Sequence, residues 1–253
     1  ESRGLGDVYK RQIMKDKSKV DTRVAFCFPD TYEIGMSNLG MRILYGVMNN
    51  IEGVWCERCF APWGDMEQEM RNANIPLYAL ESFDPIKDFD IIAPKGFMAS
   101  AQNENVLAGV AMTRRATYMY GLQLQPGEKG TLGCGLGQRM STGSKGIARP
   151  TIEIANTGEK HTIDGVEMEF VYVLDTEAPV EIMIWLPQLK AFCTAEDMTH
   201  NMHNLQTLRG AKVRNGLLWS KAVDTAIERY GDRVEVSFST HHWPTWGLSL
   251  IHI

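Results

Sequence analysis

Three short segments carry the side chains best suited to chemistry: TEAPVE at residues 176–181, TAEDMTHNMHN at 194–204 and STHHWPTWG at 239–247. Each sets a carboxylate or an imidazole where an apolar run ends. A strand holds its neighbours rigidly while the loop after it is free to present a ligand, so such ends suit a metal site. Zinc accepts histidine nitrogen and carboxylate oxygen, and a hydrolytic zinc keeps one position open for water. Two other features point less clearly to chemistry. Cys56 and Cys59 form a C-x-x-C, a spacing that can bind metal or cycle between thiol and disulfide, but no second pair accompanies it. GCGLG at 133–137 has the glycines of a phosphate loop without its lysine, its final glycine spacing or a preceding strand.

The elements that must position these segments follow from periodicity. Apolar runs predict strands at 151–154, 166–174, 180–186, 190–194 and 234–239, with helices at 97–120, 202–208 and 217–230 and a glycine-rich loop at 127–146. Strands paired by hairpins and followed by helices fit one half of a layered αββα sandwich. Upstream, short apolar runs alternate with amphipathic stretches. Strands are expected at 24–28, 55–60, 77–80 and 89–93, and helices at 37–50, with Ser37 available as cap, and at 65–74. Such alternation implies a parallel, Rossmann-like sheet.

Composition narrows the partners. A net charge of −5 gives no basic excess of the kind that attracts nucleic acid or an anionic membrane surface, and 44% hydrophobic with 23% charged residues suits a soluble globular protein. No apolar run is long enough to span a bilayer and no signal peptide is legible, so a cytoplasmic location is expected for the chain as written. The five cysteines are odd in number and lack a framework spacing, so reduced thiols are expected.

The two ends stand apart. DVYKRQ at 7–12 can be encoded by GATGTGTATAAGAGACAG, and the reverse complement of that DNA reads in frame as LSLIHI, the residues at 248–253. That DNA resembles the transposase end used to prepare sequencing libraries, so residues 1–12 and 248–253 are expected to be adapter-derived and are set aside as processing scars.

From IIAPKGFM through NENVLAGVAMTRRATYMYG, STGSKG, TIDGVE, TEAPVE, THNMHNLQTLRGAKVRN and HHWPTWG, the chain resembles the zinc-dependent alkyl sulfatases of the metallo-β-lactamase superfamily. The resemblance implies a dinuclear zinc site in which Glu177, Glu196 and His241 are metal ligands, with NLQTLR at 204–209 meeting the sulfate group through Asn204 and Arg209. It implies an alkyl sulfate ester as substrate, hydrolysed to alcohol and sulfate, a parent enzyme that could be secreted or periplasmic, and a possible homodimer. Read from the residues alone, Glu177 could instead cap the next element, and His200 and His203 could be polar helix residues; His242 also lies off the family's ligand positions. The family's other ligands sit on an H-x-H-x-D-H loop that this sequence does not contain, so weak zinc binding and no hydrolysis are expected.

Residues 19–92, above all FPDTYEIGMSNLG and FAPWGDMEQEMR, resemble the amino-terminal cobalamin-binding-like domain of a radical S-adenosylmethionine protein family. No C-x-x-x-C-x-x-C is present, and the first histidine is His161, so a cobalamin ligand is lacking. The expected organisation is therefore a Rossmann-like βα fragment at 13–92 followed by an incomplete metallo-β-lactamase-like αββα half at 93–247, an α/β chain overall. The alternatives are a binding module defined by the amino-terminal half and an artificial chimera without function.

Overall fold

The computed structural model describes residues 12–28, 31–130, 147–201, 205–241 and 243–247. The GCGLG stretch at 133–137 and the adapter-like ends, apart from Gln12, lie outside these residues. Two compact units divide the described residues, 12–90 with 147–148 in the first and the remainder from Ile91 onward in the second.

In the first unit, β1 (Thr22–Phe28) and β2 (Val54–Phe60) pair in parallel, from Thr22 opposite Val54 to Phe28 opposite Phe60. Parallel neighbours need a crossover, supplied by α1 (Tyr32–Ser37) and α2 (Leu39–Asn49). The sequence pattern predicts one helix here, capped by Ser37. Instead Asn38 breaks it, taking an extended backbone and accepting the Met41 N–H at 2.9 Å, while the Ser37 hydroxyl closes α1 on the Ile34 carbonyl at 2.7 Å. Beyond β2 lies α3 (Gly64–Asn72); the strand expected at 77–80 is a single bridge between Tyr78 and Pro85. Buried charge is matched: Arg23 donates to the fully buried Glu57 at 2.9 Å, and Arg58 and Tyr45 donate to Glu81 at 2.8 and 3.0 Å.

The second unit opens with β3 (Ile92–Pro94), parallel to β4 (Ile152–Ile154). The helix expected over 97–120 is interrupted. α4 (Phe97–Gln102) passes into a π turn at Asn103–Leu107 before α5 (Gly109–Met119). The Asn105 amide donates to the Ala101 carbonyl at 3.0 Å and Gly109 weakens the next turn, so side-chain competition and glycine together favour the wider ring.

The main sheet has six strands in the order β10–β9–β8–β7–β6–β5. They are β5 (Lys160–Ile163), β6 (Val166–Leu174), β7 (Val180–Leu186), β8 (Ala191–Cys193), β9 (Val236–Phe238) and β10 (Thr245–Trp246). All pairings are antiparallel except β8 with β9. β5 escapes the periodicity reading, although Asp164-Gly165, both at positive φ, is a strong two-residue hairpin signal. One helix, α6 (Gly216–Tyr230), covers this sheet. Asn215 caps it, accepting the N–H groups of Leu217 and Leu218 at 3.1 Å. Ala222, Val223, Ala226, Ile227 and Tyr230 recur at helical spacing and meet Val171, Val173, Met183, Trp185 and Phe192 from the strands, and Trp219 one turn earlier is buried as well. The expected helix at 202–208 is not formed over its described residues. From 205 to 214 the chain is a loop closed by Arg214 N–H on the Leu205 carbonyl at 2.8 Å.

Candidate metal centre

The topology brings four strand ends to one edge of the sheet. β6 ends there and β7, antiparallel to it, begins there; β8 returns to it, and β9, parallel to β8, ends beside β8. The bend at 175–179 after β6 carries Glu177, the second residue of β7 is Glu181, the turn after β8 carries Glu196, and His241 follows β9. Carboxylate oxygens of Glu177, Glu181 and Glu196 all lie within 4.8 Å of one another. His241 joins them through Glu196, its Nε2 2.7 Å from Oε1.

The turn that presents Glu196 is held from several sides. Ala195 takes a positive φ of 50°, Glu181 Oε1 accepts the Glu196 N–H at 3.0 Å, and Thr240 N–H donates to the Ala195 carbonyl at 3.0 Å. Behind it, Trp219 on α6 donates its indole N–H to the Asp197 carbonyl at 2.7 Å, tying the turn to the core.

Charge crowding is the dominant electrostatic feature. Burial, then the neighbouring Glu196, pushes the Glu177 carboxyl up to about 7, although Arg214 opposes the shift. Burial and Asp197 push Glu181 up to about 9. Asp197 is raised as well, chiefly by its own burial. One oxygen of Glu181 and both of Asp197 are buried without a hydrogen-bond partner. Carboxylates gathered at this density demand a proton or a cation, and three carboxylates with an imidazole form a donor set that fits a divalent metal ion.

Beside the cluster lies a cleft of about 630 Å³ that Glu177 and Glu196 share with Arg209, Lys212 and Arg214. The Arg214 guanidinium forms an ion pair with Glu177 and donates from Nε to the Glu177 carbonyl at 2.6 Å. Met112, Leu174, Pro179 and Val213 also line the cleft.

Of the residues singled out from sequence, Glu177, Glu196 and His241 are brought together and Arg209 lines the adjoining cleft. Asn204, His203 and His242 lie outside the described residues. His200 turns elsewhere, its Nε2 2.9 Å from the Thr245 hydroxyl. Glu181, Asp197 and Arg214 were not anticipated: the first sits inside an apolar strand, and the other two acquire their roles only when distant turns meet. Cys56 and Cys59 stand three apart on an extended strand, so they face opposite sides of the sheet and cannot chelate one ion.

Comparison with known proteins gives this geometry a context. A linear primary-alkylsulfatase from Pseudomonas sp is 50% identical over 157 residues, covering 62% of this chain and 23% of that protein. That stretch is homologous to the alkylsulfatases. The solved stereoselective inverting sec-alkylsulfatase Pisa1 from Pseudomonas sp. has 40% identity and a TM-score of 0.57 over 64% of this chain and 26% of its own. A double mutant of the same sec-alkyl sulfatase matches 89% of this chain and 35% of its own at 31% identity and a TM-score of 0.62. Weaker structural likenesses extend to metallo-beta-lactamases. The chain spans about a quarter to a third of the length of the alkylsulfatases it matches. A family model described as the amino-terminal part of radical SAM proteins matches residues 40–108, starting later and running further than the resemblance read over 19–92. Among the described residues, no helix of this alkylsulfatase-like chain is long and apolar enough to cross a membrane.

Proposed function

We propose that residues 93–247 are part of the catalytic domain of an alkyl sulfate ester hydrolase, in which Glu177, Glu196 and His241 hold zinc and Arg209, with Asn204, meets the sulfate group. The observation that supports this most is the convergence of Glu177, Glu196 and His241 on one sheet edge beside a cleft that Arg209 lines. A bound zinc ion would polarise the ester and supply hydroxide at neutral pH.

The protein's own side chains account for the rest. Arg209 and Lys212 give the cleft a cationic wall for a sulfate monoanion, and guanidinium is suited to gripping two of its oxygens at once. Met112, Leu174, Pro179 and Val213 offer apolar surface to an alkyl chain. Glu181 holds the Glu196 turn through its backbone N–H, and Arg214 orients Glu177. Zinc in such enzymes needs enough protein ligands to fix its geometry while keeping water bound, and the residues here supply one share of a two-ion set. The chain by itself is therefore a weak zinc binder without turnover. The test is sulfate release from dodecyl sulfate with added zinc; robust turnover by the chain as written would mean that residues other than these make the site.

The match over residues 40–108 favours a second reading for the first unit, a binding module of the radical S-adenosylmethionine type. Titration with a cobalamin, followed by its visible spectrum, separates a ligand-binding module from a scaffold.

A further inference from the structure

We propose that Cys27 and Cys59 are a thiol pair that closes into a reversible cross-strand disulfide on exposure to a low-molecular-weight disulfide. The two are register partners on the parallel strands β1 and β2, so their side chains leave the same face of the sheet. Neighbouring strands lie about 4.8 Å apart, inside the window of roughly 4.4–6.8 Å between α-carbons that a disulfide requires. Their exposure is unequal in the useful sense: Cys27 is open to solvent, while Cys59 is 1% exposed. An outer thiol that meets the oxidant and an inner one that resolves the product is the division of labour such chemistry needs.

The electrostatics agree with that division. The neighbouring Cys59 thiol holds the Cys27 thiol down at about 7, and the same proximity with burial raises Cys59. Cys27 is therefore the thiolate that attacks first. Cys56 is the obvious competitor for Cys59, but it faces the other side of β2 and burial pushes it up to about 12.

The exchange balances. The Cys27 thiolate attacks one sulfur of a small disulfide R–S–S–R, forming Cys27–S–S–R and releasing one thiolate, RS⁻. Cys59 gives its proton to that thiolate and attacks the Cys27 sulfur, forming the Cys27–Cys59 bond and releasing a second RS⁻. Two protein thiols are oxidised and one small disulfide is reduced to two thiols.

The full chain provides its own test. It is incubated with oxidised glutathione, its remaining thiols are blocked with N-ethylmaleimide, and it is digested with trypsin, which cuts after Arg23, Arg42, Arg58 and Arg71 and so places Cys27, Cys56 and Cys59 on three separate peptides. The expected product is peptide 24–42 linked to 59–71, lost again on adding dithiothreitol and still formed in Cys56→Ser. In Cys59→Ser, Cys27 should stop at the mixed disulfide with glutathione. The proposal is overturned if the wild-type chain yields Cys27 only as that mixed disulfide, if Cys59 is found linked to Cys56, or if both thiols are recovered blocked. Because these readings come from the wild-type chain, they do not depend on how either variant folds.

Discussion

Glu196 and His241 each stand three residues beyond one half of a registered pair, Cys193 on β8 and Phe238 on β9. Parallel strands that leave the sheet together carry the two side chains out by equal lengths, and they meet at 2.7 Å. The register of β8 and β9 thus sets the contact. Inserting one glycine between Phe238 and Ser239 should break it while leaving the core under α6 intact. Competition with a chromogenic chelator should show divalent-cation affinity falling about 10- to 100-fold, on the scale seen when ligand orientation is lost. An unchanged affinity would remove His241 from the site.

Glu181 is expected to matter for cation binding although it lies within a strand. Glu181→Gln keeps the shape of the side chain but removes a carboxyl group that a bound cation would ionise beside Glu177 and Glu196. Zinc affinity should fall about tenfold with little change in the far-ultraviolet spectrum. Equal affinity in the variant would restrict the donor set to Glu177, Glu196 and His241.

Stability without metal should fall as pH rises. Glu177 and Glu181 ionise near 4.5 when unfolded but near 7 and 9 when folded, so the native state binds more protons across that interval. Their contribution is fully present below about 4.5 and is lost as pH passes upward through about 7 and about 9. With a chelator present, the urea midpoint should therefore be lower at high pH than near pH 5, and Glu181→Gln should flatten the slope. Added zinc should raise the alkaline midpoint. A midpoint that rises with pH in the absence of metal would contradict the crowding.

Arg214 and Glu177 are both largely buried as an ion pair. Arg214→Ala leaves Glu177 in the cleft wall without its counter-charge, a change that costs about 3 kcal/mol once pH stands well above the Glu177 value of about 7 and the carboxylate is ionised. The loss should shrink in acid, where Glu177 takes up a proton. Thermal unfolding at two pH values checks both statements.

For activity, the chain as written should release no sulfate from dodecyl sulfate. Supplying the front part of an alkylsulfatase, with its H-x-H-x-D-H loop, in place of residues 1–92 should restore zinc binding and turnover together. In that restored protein Glu196→Ala should abolish turnover again. Activity surviving Glu196→Ala would mean that the metal is held elsewhere.

Much of this was legible in the residues, and the misses have physical causes. Strands β6, β7 and β8 and helix α6 announce themselves because one buried face repeats at a fixed period, and Glu177, Glu196 and His241 stand at the ends of such runs. The helix break at Asn103–Leu107 was hidden because every residue there tolerates a helix, and the local competition comes from one amide, Asn105. Asn38 outcompeted Ser37 as a cap because the chain turns one residue later than the apolar pattern suggests. Glu181 and Arg214 were missed for a different reason. Glu181 lies near the start of an otherwise apolar strand, where a lone carboxylate reads as an exposed strand end, and Arg214 closes a loop that begins where periodicity predicts a helix. Both gain meaning from partners many residues away.

The run from β5 to β8 is built of hairpins between consecutive strands, whereas β9 reaches β8 only after the long excursion through α6. Contacts near in sequence close quickly, and distant ones must first overcome the entropy of a longer loop. Glu177 and Glu181 can therefore be in place soon after β6 and β7 emerge, while His241 arrives only when β9 docks. A folding intermediate of this unit would carry the carboxylates without the imidazole, and cation present during folding would favour the final docking step.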